Sequence, residues 1–249
     1  IEGESRGETM IVTGKTDIGR HRKINQDSYL VIQHDGFTLV AVCDGMGGAN
    51  AGEVASAKAV EYLKEIFENT PPLDTNASEM KTWLKDAIDS VNLQLYALAS
   101  SNEQYHGMGT TMVAVLHHKK ATVMANVGDS RIYTLNRSMN QITMDHTLVQ
   151  EWINQGRLSE KDAKIHPQRS ILTNVLAILP QAIVDLFELE DEVSLILCCS
   201  DGLHGYVEDD EIEAILNNHD DLDVKTNQLI TLANAKGGYD NTTVVLMAL

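Results

Sequence analysis

The sequence predicts an α+β sandwich, sheet packed on sheet with helices outside. Three observations predict it. Strand-like segments cluster towards both ends of the chain, a pair of helical segments follows each cluster, and the strands at 37–43 and 194–199 are apolar at nearly every position, as strands buried on both faces are. A chain of 249 residues can form one large domain or two small ones. No internal repeat divides it.

Each element follows from local pattern. Residues 1–9 are read as a loose tail, with Met10 a candidate native start, and residues 10–249 as the folded domain. The β-branched run 10–13 predicts a strand; 28–33 and 37–43 predict two more, with Asp35-Gly36 signalling a hairpin between them. Helices are predicted over 53–68 and 78–100, split by Thr70-Pro71-Pro72. On the second, Met80, Leu84, Ala87, Val91, Leu95 and Leu98 recur at steps of three and four, an apolar stripe that reads as core packing. Strands at 111–117, 122–127 and 131–135 predict an antiparallel meander turning at His118-Lys119-Lys120 and Gly128-Asp129-Ser130. Residues 146–178 break the β rhythm with helical stretches at 148–155 and 159–164 and a stop at His166-Pro167, and read as an insertion over the sheet. The strand at 194–199 halts at Ser200-Asp201-Gly202. Helices at 209–217 and 224–235 and a strand at 242–247 complete the chain.

Composition narrows the partners. Hydrophobic residues make up 43% of the chain, enough for a real core, and 19 Lys and Arg against 36 Asp and Glu give a net charge of −17. Such a field repels polyphosphate, so nucleic acid is not an expected partner. Cys43, Cys198 and Cys199 lie in apolar runs with neither disulfide nor zinc spacing, which predicts a reducing compartment. No apolar run approaches the roughly 20 residues of a membrane helix, and the N-terminus lacks a signal core. A soluble, cytoplasmic monomer is the expectation.

Acidic residues recur where core strands stop: Asp44-Gly45, Gly128-Asp129-Ser130, Ser200-Asp201-Gly202, and Asp240-Asn241 leading into the last strand. Any one of these is ordinary turn chemistry. Together, carboxylates held at the ends of core strands can meet in one cleft, where they must protonate or acquire a cation. An all-oxygen set suits Mg²⁺ or Mn²⁺. Upstream, the segment 16–27 places Arg20, His21, Arg22 and Lys23 as a basic island ahead of Asp27. The planar fork of Arg20 or Arg22 matches the oxygens of a phosphoryl group, though the segment also reads as a solvated basic loop.

The order of Asn25-Gln26-Asp27, Asp44-Gly45-Met46-Gly47-Gly48, Gly107-Met108-Gly109-Thr110-Thr111, Val127-Gly128-Asp129-Ser130-Arg131, Asp145-His146-Thr147, Ser200-Asp201-Gly202 and Gly238-Tyr239-Asp240-Asn241 resembles the metal-dependent protein serine/threonine phosphatases of the 2C (PPM) class, bacterial type. The resemblance runs from about residue 11 to 248. It implies a four-layer α-β-β-α sandwich with two central antiparallel sheets, and hydrolysis of phosphoserine and phosphothreonine in proteins by water activated between two Mn²⁺ or Mg²⁺ ions. It implies that Asp44 bridges the two metals, that the Gly45 carbonyl serves one, and that Asp201 and Asp240 complete the other. Asp129, with Asp201, matches the site of a third, weaker ion. Asp27 matches the acid that binds metal-coordinated water, and Arg22, in preference to Arg20, the arginine that holds phosphate. Phosphoproteins, and a serine/threonine kinase that the enzyme opposes, are the implied partners.

The sequence departs from the family pattern twice. Many relatives carry His directly after Asp-Gly-Met-Gly-Gly as the candidate general acid; this chain has Ala49-Asn50, leaving a metal-bound water or His146 to substitute. Where relatives often read Leu-Thr-Arg-Ala-Leu-Gly, this chain reads Leu172-Thr173-Asn174-Val175-Leu176-Ala177, at the end of the segment 146–178 that the resemblance makes a flap beside the site. These departures motivate a rival, a catalytically weak pseudophosphatase acting as a regulatory binding module. A metallonuclease is opposed by the charge of −17.

Overall fold

A computed structural model describes residues 11–47 and 51–249. The expected tail at 1–9, Met10 and the Ala49-Asn50 departure lie outside the described residues. Strand β1 (Val12–Asp17) leads through a loop to a hairpin of β2 (Asp27–His34) and β3 (Phe37–Met46). The hairpin turns through Asp35 and Gly36, at φ +49° and +81°, the left-handed pair that a two-residue turn between right-twisted strands requires. Helices α1 (Ala51–Asn69) and α2 (Ala77–Ser101) follow, the latter capped by Asn76, whose side chain accepts from the Glu79 amide at 3.0 Å. Next come β4 (Gly109–Thr110), β5 (Met112–His118), β6 (Ala121–Val127), β7 (Arg131–Leu135) and β8 (Met139–Gln141). Helices α3 (Leu148–Asn154) and α4 (Glu160–Ala163) interrupt the strands where the sequence loses its β rhythm. The chain closes with β9 (Asp185–Glu188), β10 (Leu195–Cys199), the short α5 (Asp201–His204), α6 (Asp209–Leu216), α7 (Leu222–Ala235) and β11 (Thr242–Ala248).

One sheet runs β1-β11-β10-β7-β8 and the other β2-β3-β5-β6-β9, with β4 paired to β3. Side-chain alternation assigns each residue to a layer. In β3, Val40 and Val42 join Val113, Ile132, Ile196 and Val245 in a cluster drawn from both sheets. Leu39, Ala41 and Cys43, the residues between, pack with Leu63, Phe67, Leu84 and Leu95 of α1 and α2. On the other sheet, Leu197, Cys199, Val244 and Leu246 meet Ile212, Leu216 and Leu229 of α6 and α7. The expected α-β-β-α order is therefore present. Cys198 faces the space between the sheets and Cys199 the helices; both are free and buried, as is Cys43.

The expected meander is corrected. Strands β5 and β6 pair, but β7 leaves that sheet and pairs with β10 and β8 in the other. The crossing lies at Gly128, at φ +107°, where an added Cβ would stand 2.6 Å from the Thr111 side chain; only glycine turns the chain there. Turn chemistry reveals that a strand ends without revealing which sheet takes the next one. Strands β8 and β9, at the sheet edges, and β4, two residues long, carry too little periodicity to be read from sequence.

Register gathers the acidic strand ends. Asp27 lies opposite Asp44 in one sheet, and Asp17 opposite Thr242 and Cys199 opposite Arg131 in the other. The Ser200 and Thr243 hydroxyls reach Asp27 across the sheets, so these termini share one end of the sandwich.

Candidate active site

Backbone contacts fix each acidic residue at that end. The Asp44 amide donates to Thr111 Oγ1 at 2.9 Å, and its carbonyl accepts from the Thr111 amide and Thr110 Oγ1, both at 2.9 Å. The Gly45 amide donates to the Gln26 carbonyl at 3.0 Å, while a Cβ on Gly45 would fall 2.0 Å from the Gly52 carbonyl oxygen at the start of α1. Asp201 opens α5 directly after β10, and a Cβ on the neighbouring Gly202 would fall 1.8 Å from the Asn241 carbonyl oxygen. Asp240 accepts through Oδ1 from the Asn241 amide at 2.9 Å. Asn241 also ties down the 18–26 loop: its Nδ2 donates to the carbonyls of Ile18 and Ile24 at 2.9 and 3.1 Å, and its Oδ1 accepts from the Gln26 amide at 2.9 Å.

The carboxylates themselves are short of partners. Asp27 is buried; its Oδ2 accepts from Ser200 Oγ and Thr243 Oγ1, both at 2.7 Å, while its Oδ1 has no partner. Burial pushes the Asp27 carboxyl up to about 7 against the pull of the two hydroxyls. Asp201, half-buried, is pushed up to about 6 by burial and by Asp240, and its Oδ1 is likewise unpartnered. Burial, then the charges of Asp27 and Asp201, holds the Asp44 carboxyl well above the ordinary range. Burial, then Asp201 and Asp145, does the same for Asp129, whose carbonyl accepts from His204 Nε2 at 2.9 Å. These acids therefore occupy one field and repel one another.

An all-oxygen donor set with buried, unpartnered carboxylate oxygens fits a hard divalent cation. As placed, no three Asp, Glu, His or Cys side chains among the described residues form a ready chelate, so a cation would have to draw the carboxylates together. Arg22 reaches the cluster: Nη2 meets Asp240 Oδ2 at 2.7 Å, with 47% of the arginine side chain still exposed. Arg20 instead donates its backbone amide to the Gly238 carbonyl at 2.7 Å. Of the two arginines weighed from sequence, Arg22 is the one whose side chain pairs with a carboxylate of the cluster.

His146 is committed elsewhere. Its Nδ1 accepts from the Gly128 amide at 3.1 Å and from Asn174 Nδ2 at 2.8 Å, which puts the proton on Nε2, where Asp185 Oδ2 accepts it at 2.9 Å. A ring with both nitrogens engaged is a structural brace rather than a free proton donor. Asn174, the first departure from the family's Leu-Thr-Arg-Ala-Leu-Gly, thus braces this histidine and also pairs with the backbone of Ile183 through both its carbonyl and amide groups. Ala177, standing where the family pattern has Gly, takes the left-handed conformation, φ +76°, and donates its amide to the buried Asn92 Oδ1 at 2.9 Å. The preceding Leu176 pairs with Thr110, so this segment is joined to the residue that holds the Asp44 carbonyl. Sequence reasoning missed Ser200, Thr243, Thr110, Thr111 and Asn241 as positioning residues. Ser200, Thr110, Thr111 and Asn241 belong to quoted motifs, which was the available signal; Thr243 lies beyond them, within the expected last strand.

A family model described as protein phosphatase 2C matches residues 14–237. The chain belongs to the protein phosphatase 2C family. Among curated relatives of this family, the serine/threonine phosphatase stp of Listeria welshimeri is 42% identical over 236 residues, covering 94% of this chain and 93% of that protein. Among solved structures, the serine/threonine phosphatase Stp1 from Staphylococcus aureus superposes with a TM-score of 0.92 at 37% identity, over 100% of this chain and 99% of that one. The Mycobacterium tuberculosis serine/threonine phosphatase PstP/Ppp gives 0.84 at 32% identity, over 96% and 98%. The protein phosphatase 2C sandwich is thus matched across its whole length. Among the described residues no helix is long and apolar enough to cross a membrane.

Proposed function

We propose that this protein is a serine/threonine phosphatase that hydrolyses phosphoserine and phosphothreonine in proteins with Mn²⁺ or Mg²⁺ held at the carboxylate end of the sandwich. One observation carries the reading: Asp27, Asp44, Asp129, Asp201 and Asp240 converge there from separate strand ends, with buried Asp oxygens left unpartnered. Asp44, the Gly45 carbonyl, Asp201 and Asp240 would hold two ions, and Asp129 with Asp201 a third. Asp27 has one oxygen already taken by Ser200 and Thr243, which suits an outer position reached through water. Bound there, divalent cations supply Lewis acidity towards the phosphoryl group and make water acidic enough to act as nucleophile near neutral pH.

The chain's own residues do the rest. Arg22, on a loop tied down by Asn241, exchanges its Asp240 partner for phosphoryl oxygens and stabilises charge as it moves onto the leaving oxygen. Residues 146–178 act as a flap within a single domain of residues 10–249, joined to Asp44 through Leu176 and Thr110. The substrates are phosphoproteins made by a serine/threonine kinase in the same cytoplasmic compartment. A monomer with free buried cysteines fits that setting.

Hydrolysis of a phosphothreonine peptide with and without millimolar Mn²⁺, in wild type and Asp44→Asn, tests the proposal. Phosphate release that requires Mn²⁺ and is lost on substitution is expected. No release from folded, metal-loaded wild type would overturn it in favour of the regulatory binding module.

A further inference from the structure

The 18–26 loop and the turn before β11 build an aromatic surface beside Arg22 that the catalytic reading leaves unused. The Tyr239 ring stacks on His21 with centroids 4.9 Å apart and planes 17° from parallel. Tyr206 also leans against it, tilted, at 5.7 Å and 37°. Beneath the ring lies Gly237, at φ +132°, where a Cβ would come within 2.1 Å of Tyr239 Cε2; the missing side chain lets the ring fold over its own backbone. The His21 amide further ties the two segments together by donating to the Gly238 carbonyl at 3.3 Å. Tyr239 is nevertheless 53% exposed.

Exposed aromatic rings are common, but one fixed from three directions is preorganised: a partner that stacks on it pays little ordering entropy. Its position is equally specific. Tyr239 immediately precedes Asp240, whose Oδ2 holds Arg22 at 2.7 Å, and His21 immediately precedes Arg22. Tyr206 lies within electrostatic reach of Asp240, Asp201, Arg169 and Arg22. A side chain next to the phosphorylated residue of a peptide seated on Arg22 would therefore meet this surface.

The exposed ring, rather than the charges around it, chooses the chemistry of that side chain. Charge does not set it: Asp240 and Asp201 act on Tyr206 together with Arg169 and Arg22, and the two signs oppose one another there. A flat apolar ring gains by stacking on an exposed, preorganised ring whichever charge prevails. We infer that Tyr239, stacked on His21, braced by Tyr206 and half exposed, is a specificity-determining subsite that takes an aromatic residue flanking the phosphoserine or phosphothreonine of the substrate. The inference rests on the phosphatase reading above.

A panel of phosphothreonine peptides carrying Phe or Ala at each of the two positions on either side of the phosphoresidue tests it, in wild type, Tyr239→Ala and Tyr239→Phe with Mn²⁺. The readout is the ratio of kcat/KM for the Phe peptide to that for the Ala peptide within each variant, so a general loss from disturbing Asp240 cancels. Wild type should favour Phe over Ala at one position by about 2- to 10-fold, mainly through KM. The ratio should fall to about one in Tyr239→Ala and survive in Tyr239→Phe. Fluorescence anisotropy of the same peptides with a non-hydrolysable phosphonate should show the same ordering in Kd. A wild-type ratio of one at every position, or a ratio that Tyr239→Ala leaves intact, overturns the subsite while leaving the phosphatase standing. Wild type that hydrolyses none of the peptides overturns the phosphatase reading and the subsite with it.

Discussion

At the same end of the sandwich, the carboxylates Asp27, Asp44, Asp129, Asp201 and Asp240 lie beside a second polar cluster made by Arg131, Asp145, His146, Asn174 and Asp185. In the second cluster the donors and acceptors match. Arg131 meets Asp145 twice, Nε to Oδ1 at 2.8 Å and Nη2 to Oδ2 at 2.7 Å, and gives Nη1 to the Tyr133 hydroxyl at 2.9 Å. His146 engages both ring nitrogens. In the first cluster like charges face one another and Oδ1 of both Asp27 and Asp201 is orphaned. Leaving a buried polar atom unpaired costs about 1–3 kcal/mol, so such atoms persist where something other than folding keeps them. Asn126 Oδ1, opposite Asp185 of the second cluster, is orphaned as well, so what sets the first cluster apart is unpartnered carboxylate oxygen together with facing like charges.

The contrast breaks most visibly at Asp201. Asp201→Asn should weaken Mn²⁺ binding by more than the roughly 100-fold that loss of an outer-sphere partner costs, with activity falling in parallel. It should also leave the metal-free protein at least as heat-stable as wild type, because one of the repelling charges is gone. Calorimetric titration and melting curves check both halves, and unchanged Mn²⁺ affinity would remove Asp201 from the ligand set. Arg131→Ala should do the reverse, costing about 3 kcal/mol of stability by stranding Asp145, visible as a lower midpoint in urea. A neutral result there would show that the matched cluster is ornamental.

His146→Ala sharpens the boundary between the clusters. A brace should cost about 1–3 kcal/mol in urea while kcat of the folded fraction stays within about tenfold of wild type. A general acid would instead cost about 10²–10⁴-fold in kcat and remove one limb of the pH profile. The smallest effect is expected at a matched pair far along the sheet, His117 Nδ1 with Thr122 Oγ1 at 2.7 Å. Burial pushes the His117 imidazole down to about 4. The unfolded chain therefore binds a proton that the fold refuses between about pH 6.5 and 4, and stability is lost as pH falls through that window. The melting-temperature gap between wild type and His117→Gln should narrow from pH 7 to pH 4.5; a constant gap would contradict a neutral buried His117.

Much of this was legible in the residues. The continuous apolar run of β3, the stripe of α2 and the Asp35-Gly36 turn each state their own conformation, because burial and backbone freedom act locally. The acidic strand ends were legible as a set through their family-like order, and Arg22 through its spacing ahead of Asn25. Long-range partners were not. Nothing near Ser200 or Thr243 in sequence shows that both hydroxyls close on Asp27, and nothing near His146 shows that Asn174 and Asp185 occupy its two nitrogens.

The sequence by itself determined the long core strands and helices, though not β4, β8 or β9 nor the extent of β1, which was expected at 10–13 and runs Val12–Asp17. It also determined that aspartates punctuate the core strands and which known family the chain resembles, since these depend on side-chain periodicity and residue order. Tertiary structure alone decided that β7 belongs to the opposite sheet from β6, that Tyr239 packs against His21 and Tyr206, and which buried carboxylate oxygens are left without partners. Those outcomes depend on register and on contacts between residues far apart in the chain, and a hydrogen bond or a repulsion exists only once both of its members have been brought together.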